Sequence, residues 1–157
     1  MTTHFYDTSA IVKRYFVETG SERVDVMLTD SASSHIISRL TLAEVNAAIV
    51  RRAPSNDVAD LTVRFDNDAE TVFGYVVVVD AMFDEAVVLV RRHRLRGCDS
   101  LQLASALHLS QALQALDEEN DLVFVCADGD LNAAALVEGL AVINPGDALE
   151  LTGTTVD

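Results

Sequence analysis

Four acidic residues stand where one element of the chain gives way to the next: Asp7, Glu44, Asp99 and Asp128. Asp7 follows the strand-like run His4-Phe5-Tyr6, and Asp128 closes the apolar run 123–126. Carboxylates brought together repel, raise one another's pKa and call for a cation. Hard Mg2+ or Mn2+ takes oxygen ligands from a few carboxylates together with water and phosphate, and that combination suits phosphodiester cleavage. The same residues have a plain structural use. Asp is a favoured helix N-cap, worth about 1 kcal/mol, at positions 7, 99 and 128, and Thr41 with Glu44 has the spacing of a capping box. For any one residue both readings stand. Their conjunction favours a shared site, because three of the four helices are otherwise poor in charge near their starts and unpaired carboxylates are costly in apolar surroundings.

The elements that must position these acids alternate between strand and helix. Strands are expected at 4–6, 35–39, 75–79, 121–126 and 140–144. Helices are expected from Ala10 toward Gly20, over 21–29, from Thr41 to Arg52 before Pro54, from an Asn56 cap to about Phe73, from an Asp80 cap to Arg96, from an Asp99 cap to about Leu116, and over 131–138 before Gly139. Several strands lack in/out alternation, which argues for a parallel sheet covered on both faces by helices. In such α/β folds ligands lie at the carboxyl ends of the strands, where Asp7 and Asp128 would sit. Residues 1–150 read as one domain, followed by a polar tail, 151–157. Repeats, linkers and low-complexity segments are absent from the sequence.

The charge balance narrows the partners. Asp and Glu number 25 against 11 Lys and Arg, a net charge of -14. Nucleic acid is not attracted to such a chain in general, since that attraction comes from clustered cations; local positive charge or a bound metal is required. The apolar runs fall short of a membrane span, the start lacks signal-peptide character, and Cys98 and Cys126 match no metal-binding spacing. Reduced thiols in a cytoplasmic protein are the expectation.

Four stretches occur in a recognisable order: Tyr6-Asp7-Thr8-Ser9-Ala10-Ile11-Val12-Lys13, Thr41-Leu42-Ala43-Glu44-Val45, Leu95-Arg96-Gly97-Cys98-Asp99-Ser100-Leu101-Gln102-Leu103-Ala104 and Val125-Cys126-Ala127-Asp128-Gly129-Asp130-Leu131. In this the chain resembles PIN-domain ribonucleases, and among them VapC-type toxins of toxin–antitoxin pairs. The resemblance runs through Gly139-Leu140-Ala141-Val142-Ile143-Asn144-Pro145 and so covers nearly the whole chain. It implies a three-layer α/β/α fold and an acidic site in which Asp7, Glu44, Asp99 and Asp128 bind Mg2+ or Mn2+. It also implies endonucleolytic RNA cleavage by a metal-activated water, homodimerisation, and inhibition by a cognate antitoxin. Two departures stand out. Cys126 replaces the Thr or Ser that relatives often carry two residues before the last acid, and Asp130 adds an acid able to share the role of Asp128.

Other residues carry two readings as well. Thr8 and Ser9 suit either positioning of water or phosphate beside Asp7, or turn-and-cap hydrogen bonds. Arg91, Arg92, Arg94 and Arg96 suit a helix C-terminus, with Gly97 at C′, while Arg96 and Lys13 are also candidate phosphate contacts. His4, His35 and His108 read as structural. The Asp128-Gly129-Asp130 run lacks the glycine and terminal glutamate of a calcium loop.

Two other functions fit an acidic α/β domain. A phosphotransfer domain would need a second acid two residues after Asp7, where Ser9 stands, or a phospho-accepting Asp at the end of 35–39, which offers none. A non-catalytic interaction module would use all four acids as caps. One physical property is independent of this choice: with Asp outnumbering Glu sixteen to nine and Lys13 as the single lysine, the composition resembles that of salt-adapted proteins, whose self-repulsion is screened at high ionic strength. The melting temperature is therefore expected to rise in molar KCl, measured by scanning calorimetry against dilute buffer.

Overall fold

The computed structural model describes residues 2–116 and 121–148; the proposed tail 151–157 and the end of the proposed domain at 150 lie outside them. Five strands form one sheet: β1 (Thr3–Tyr6), β2 (Ser34–Ser38), β3 (Gly74–Val76), β4 (Leu122–Val125) and β5 (Ala141–Ile143). They lie in the order β3-β2-β1-β4-β5, and every neighbouring pair is parallel. The chain winds outward from β1 in one direction through β2 and β3, then returns to the other side of β1 for β4 and β5. The reversal falls between β1 and β4, which makes their carboxyl ends the expected crevice.

Side chains alternate across each strand. Phe5, Ile36 and Phe124 face one layer, formed by α5 (Asp80–His93), α6 (Gly97–Leu116) and α7 (Gly129–Val137). Tyr6, Ile37 and Val125 face the other, formed by α1 (Thr8–Ile11), α2 (Ser21–Leu28), α3 (Arg39–Arg52) and α4 (Val58–Thr71). The result is the three-layer sandwich expected from the sequence. Phe5 and Phe124, paired in register, stack with ring centroids 5.9 Å apart and anchor the first layer.

Several local expectations are corrected. The helix placed from Ala10 begins instead at Thr8, and after Ile11 it tightens into a 3-10 turn over Val12–Arg14, where Tyr15 N–H bonds the Val12 carbonyl at 3.0 Å. Helix α3 begins at Arg39 because Ser38, at the very end of β2, is its cap and accepts from Thr41 N–H. Thr41 therefore lies inside the helix, and the Thr41/Glu44 capping box does not form. Asn56 caps nothing: Asp57 precedes α4 without a side-chain cap. Strand β3 stops at Val76 because β2 offers it partners only from Ile36 to Ser38. Asp80 is the first residue of α5 rather than its cap. That helix ends at Arg94 in the left-handed region, φ 57°, because the chain must turn there to bury Leu95, 8% exposed. Gly97 then opens α6 instead of closing α5, which places Asp99 inside the first turn of α6 rather than at its cap.

One ion pair ties the second layer to the turn after α1. Arg14 donates to both oxygens of Asp68 on α4, Nε to Oδ2 at 2.6 Å and Nη2 to Oδ1 at 3.2 Å, and Tyr15 OH donates to Oδ2 at 2.8 Å. Burial alone would raise the Asp68 pKa, but these donors hold it below the usual carboxylate value. A lowered folded-state pKa means that this stabilisation is complete above the unfolded-chain value of about 4 and is lost only as the pH falls below it. Asp68→Asn should cost about 1–2 kcal/mol near neutral pH, since it removes the more buried of the two carboxylates that pair with Arg14 and leaves it only the exposed Asp25, 3.0 Å from Nη1. In urea melts the difference from wild type should shrink as the pH falls below 4.

Candidate active site

The carboxyl edge of β1 and β4 gathers all four acids. Asp7 comes straight off β1, its N–H still in the ladder to the Val125 carbonyl at 2.9 Å, and its side chain accepts from Ser9 N–H at 2.9 Å as the cap of α1. Asp128 ends the loop after β4 and caps α7, accepting from Leu131 N–H at 2.9 Å. The structural use is thus real for these two. It does not account for Glu44, in the second turn of α3, or for Asp99. Asp7, Glu44, Asp99 and Asp128 line one cleft of about 200 Å³ together with Thr8, Ser9, Val12 and Arg96.

The electrostatics of the cleft are lopsided. Asp7 is 5% exposed. Burial raises its pKa above the ordinary carboxylate value, the Ser9 bonds offset part of that rise, and the charges of Glu44 and Asp99 add to it. Against four carboxylates stands a single cation in the cleft lining, Arg96. Its guanidinium grips Asp99, with Nε to Oδ2 at 2.7 Å and Nη2 to Oδ1 at 3.3 Å, and Nη2 lies 3.7 Å from Asp128 Oδ2. The Arg96 side chain is 80% exposed, so this clamp contributes at most about 1 kcal/mol and can open at little cost.

Glu44 is held more firmly. Its Oε2 accepts from Thr8 Oγ1 at 2.5 Å and from Gln102 Nε2 at 2.8 Å. Gln102, 1% exposed on α6, was not singled out from the sequence. The available signal was its place three residues after Asp99, which puts it near that acid on the same helix face.

The remaining candidates fall as follows. Ser9 Oγ accepts from Ala127 N–H at 2.9 Å and sits 3.5 Å from Cys126 Sγ, so it braces the β4 loop. Cys126, where a hydroxyl was expected in relatives, is fully buried; burial pushes its thiol pKa up, and the protonated sulfur lies 3.7 Å from Asp7 Oδ2, a weak donor. Asp130 is exposed in the first turn of α7 and does not line the cleft. Lys13 is turned away as well, donating to the Thr19 carbonyl at 2.9 Å and pairing with Glu18 at 3.4 Å. His35 is structural, bonded to Tyr6 and to the Asp30 carbonyl, and His108 pairs with Glu85.

The donor set is all oxygen and strongly anionic, which fits a hard divalent ion. As placed, no three Asp, Glu, His or Cys side chains among the described residues form a group able to hold a metal. Asp99 is occupied by Arg96, and an ion would have to release it and draw on water for its other ligands. Among the described residues no helix is long and apolar enough to cross a membrane.

Comparison with known proteins agrees with this geometry. The sequence matches the PIN domain family over residues 5–137, a span that includes every acid of the cleft, and the chain belongs to that family. It is 34% identical to ribonuclease VapC45 of Mycobacterium tuberculosis over 107 residues, 66% of this chain and 74% of that protein. Among solved structures it is similar to Mycobacterium tuberculosis VapC20, a toxin that cleaves the sarcin-ricin loop, with a TM-score of 0.62 at 17% identity over 83% of this chain and 94% of that one. A chain of a Klebsiella pneumoniae toxin–antitoxin complex superposes with a TM-score of 0.54 at 13% identity, covering 90% and 97%. The two structural likenesses establish a shared fold.

Ionised Asp7 costs stability, because the folded chain holds that proton to higher pH than the unfolded chain does. Asn keeps the capping oxygen and removes the charge. Asp7→Asn is therefore expected to raise the melting temperature at pH 7 by about 2–4 °C, the equivalent of roughly 1 kcal/mol in a domain of this size, and by less at pH 4. Differential scanning fluorimetry at the two pH values checks it.

Proposed function

We propose that the cleft is the active site of an endoribonuclease that depends on Mg2+ or Mn2+ and serves as the toxin of a toxin–antitoxin pair. The observation that carries this reading is the convergence of four carboxylates from four separate elements on one cleft, with Asp7 desolvated and only an exposed arginine to balance them. The ribonuclease name of the curated relative supports the reaction, and the toxin–antitoxin complex among the structural neighbours supports a cognate antitoxin as partner. Homodimerisation follows from the family resemblance.

In this reading Asp7, Glu44 and Asp99 would hold the ion directly or through water. A bound divalent ion supplies Lewis acidity toward the phosphate and acidity to the attacking water. Asp128, at the β4 side of the crevice, would orient an attacking water or help hold a second ion, with exposed Asp130 as an outer contributor. Arg96, released from Asp99, has the length and exposure to meet a phosphate oxygen with its planar fork. Thr8 holds Glu44, and Ser9 holds the loop that carries Asp128. Lys13 would serve RNA only as an outlying contact. The phosphotransfer alternative loses ground because Ser9 bonds the loop backbone where a second acid would be needed. The interaction-module alternative explains Asp7 and Asp128 but leaves Glu44 and Asp99 without a capping role.

The test is thermal and chemical together. Millimolar Mn2+ should raise the melting temperature of wild type by several degrees, since an ion that binds only the folded state stabilises by mass action, about 2.7 kcal/mol at a hundred times Kd. Asp99→Asn should abolish the rise and the metal-dependent cleavage of a panel of structured RNAs. An equal rise in the variant would sink the site assignment.

A further inference from the structure

We infer that Gln102 is a positioning residue: its buried amide fixes Glu44 in the orientation that metal binding requires. The inference rests on the metal-dependent reading of the cleft and concerns a residue that never touches the ion. Gln102 sits in α6 among small and apolar neighbours, so its amide can be buried only if its polar atoms are bonded. They are, and the partners come from three other segments. Ser38 Oγ, the last residue of β2 and the cap of α3, donates to Gln102 Oε1 at 2.8 Å. Nε2 in turn donates toward Thr41 Oγ1 at 3.0 Å, Thr8 Oγ1 at 3.1 Å and Glu44 Oε2 at 2.8 Å.

The direction of this chain matters. The Ser38 hydroxyl satisfies the carbonyl side of the amide, so the two N–H bonds must point toward Thr8, Thr41 and Glu44. Thr8 and Gln102 both donate to the same Glu44 oxygen, Oε2. The carboxylate, which lines the cleft, is therefore anchored through one oxygen, with its rotamer entropy already lost on folding. A ligand oriented in advance binds an ion more tightly than one ordered on binding. Partners that orient metal-binding side chains typically account for 10–100-fold in metal affinity. Gln102 also lies one helical turn from Asp99, so the same helix that delivers one acid sets the geometry of another.

The experiment is isothermal titration of the full-length protein with MnCl2, for wild type, Gln102→Met, Ser38→Gly and Ser105→Ala. Gln102→Met keeps the length and loses the donors. Ser105→Ala is the control for a merely structural role, because Ser105 is fully buried on the same helix but bonds only its own helix backbone at Leu101. The expected result is a Kd for Mn2+ at least about 10-fold weaker in Gln102→Met, a smaller weakening in Ser38→Gly, and no change in Ser105→Ala. An unchanged Kd in folded Gln102→Met overturns the assignment while leaving the metal site intact. Should Gln102→Met not fold, Ser38→Gly decides in the same way, because glycine is tolerated at the cap of α3 while the lost hydroxyl frees the amide to flip without removing it. Absence of Mn2+ binding by wild type overturns the metal reading itself, and this inference with it.

Discussion

The burial of one carboxylate at the carboxyl end of the central strand sets the terms for everything around it. Asp7 can occupy that place only because its neighbours supply what water no longer does: a backbone N–H from Ser9 and a thiol from Cys126. The nearby charges of Glu44 and Asp99 make the place worse, not better. A fold that keeps such an arrangement gives up stability at that place. The parallel sheet makes the arrangement possible, since its strand order reverses beside β1 and opens a crevice there without any further distortion.

Around that constraint the polar groups divide into two grades of hold. Glu44 is held from within by partly buried bonds from Thr8 on α1 and Gln102 on α6. Asp99 is restrained from outside by an arginine that water can replace. The difference is one of mobility: Glu44 is set on folding, whereas Asp99 is held by a side chain that is 80% exposed. Both caps, Asp7 and Asp128, belong to the first grade, because a helix start fixes its cap's oxygen as firmly as it fixes the backbone.

Much of this was legible in the sequence, and the parts that were not share a cause. The apolar runs of β1, β2 and β4 and the acids that follow them were readable because strand ends and caps are local events. The start of α3 was misread because two hydroxyl residues, Ser38 and Thr41, stand three apart and either can cap; the extent of β2 decides between them, and that depends on pairing with β1 and β3. The end of α5 was misread toward Gly97 because the burial of Leu95, a tertiary event, forces the turn earlier. Gln102 was invisible for the same reason in stronger form: its partners Thr8, Thr41 and Glu44 lie 94, 61 and 58 residues away. Lys13 shows the converse, a cation close to Asp7 in sequence that the 3-10 turn carries off to Glu18.

The strand order has a temporal consequence. Asp7, after β1, and Glu44, on the helix after β2, come from the first half of the chain, while Asp99, on α6, and Asp128, after β4, come from the second half. A ribosome that has released only the first half has therefore made two acids of the cleft and neither the helix that carries Gln102 nor the strand that completes the crevice. A nascent chain of this topology carries an incomplete cleft until β4 and the loop behind it, with Asp128, are in place.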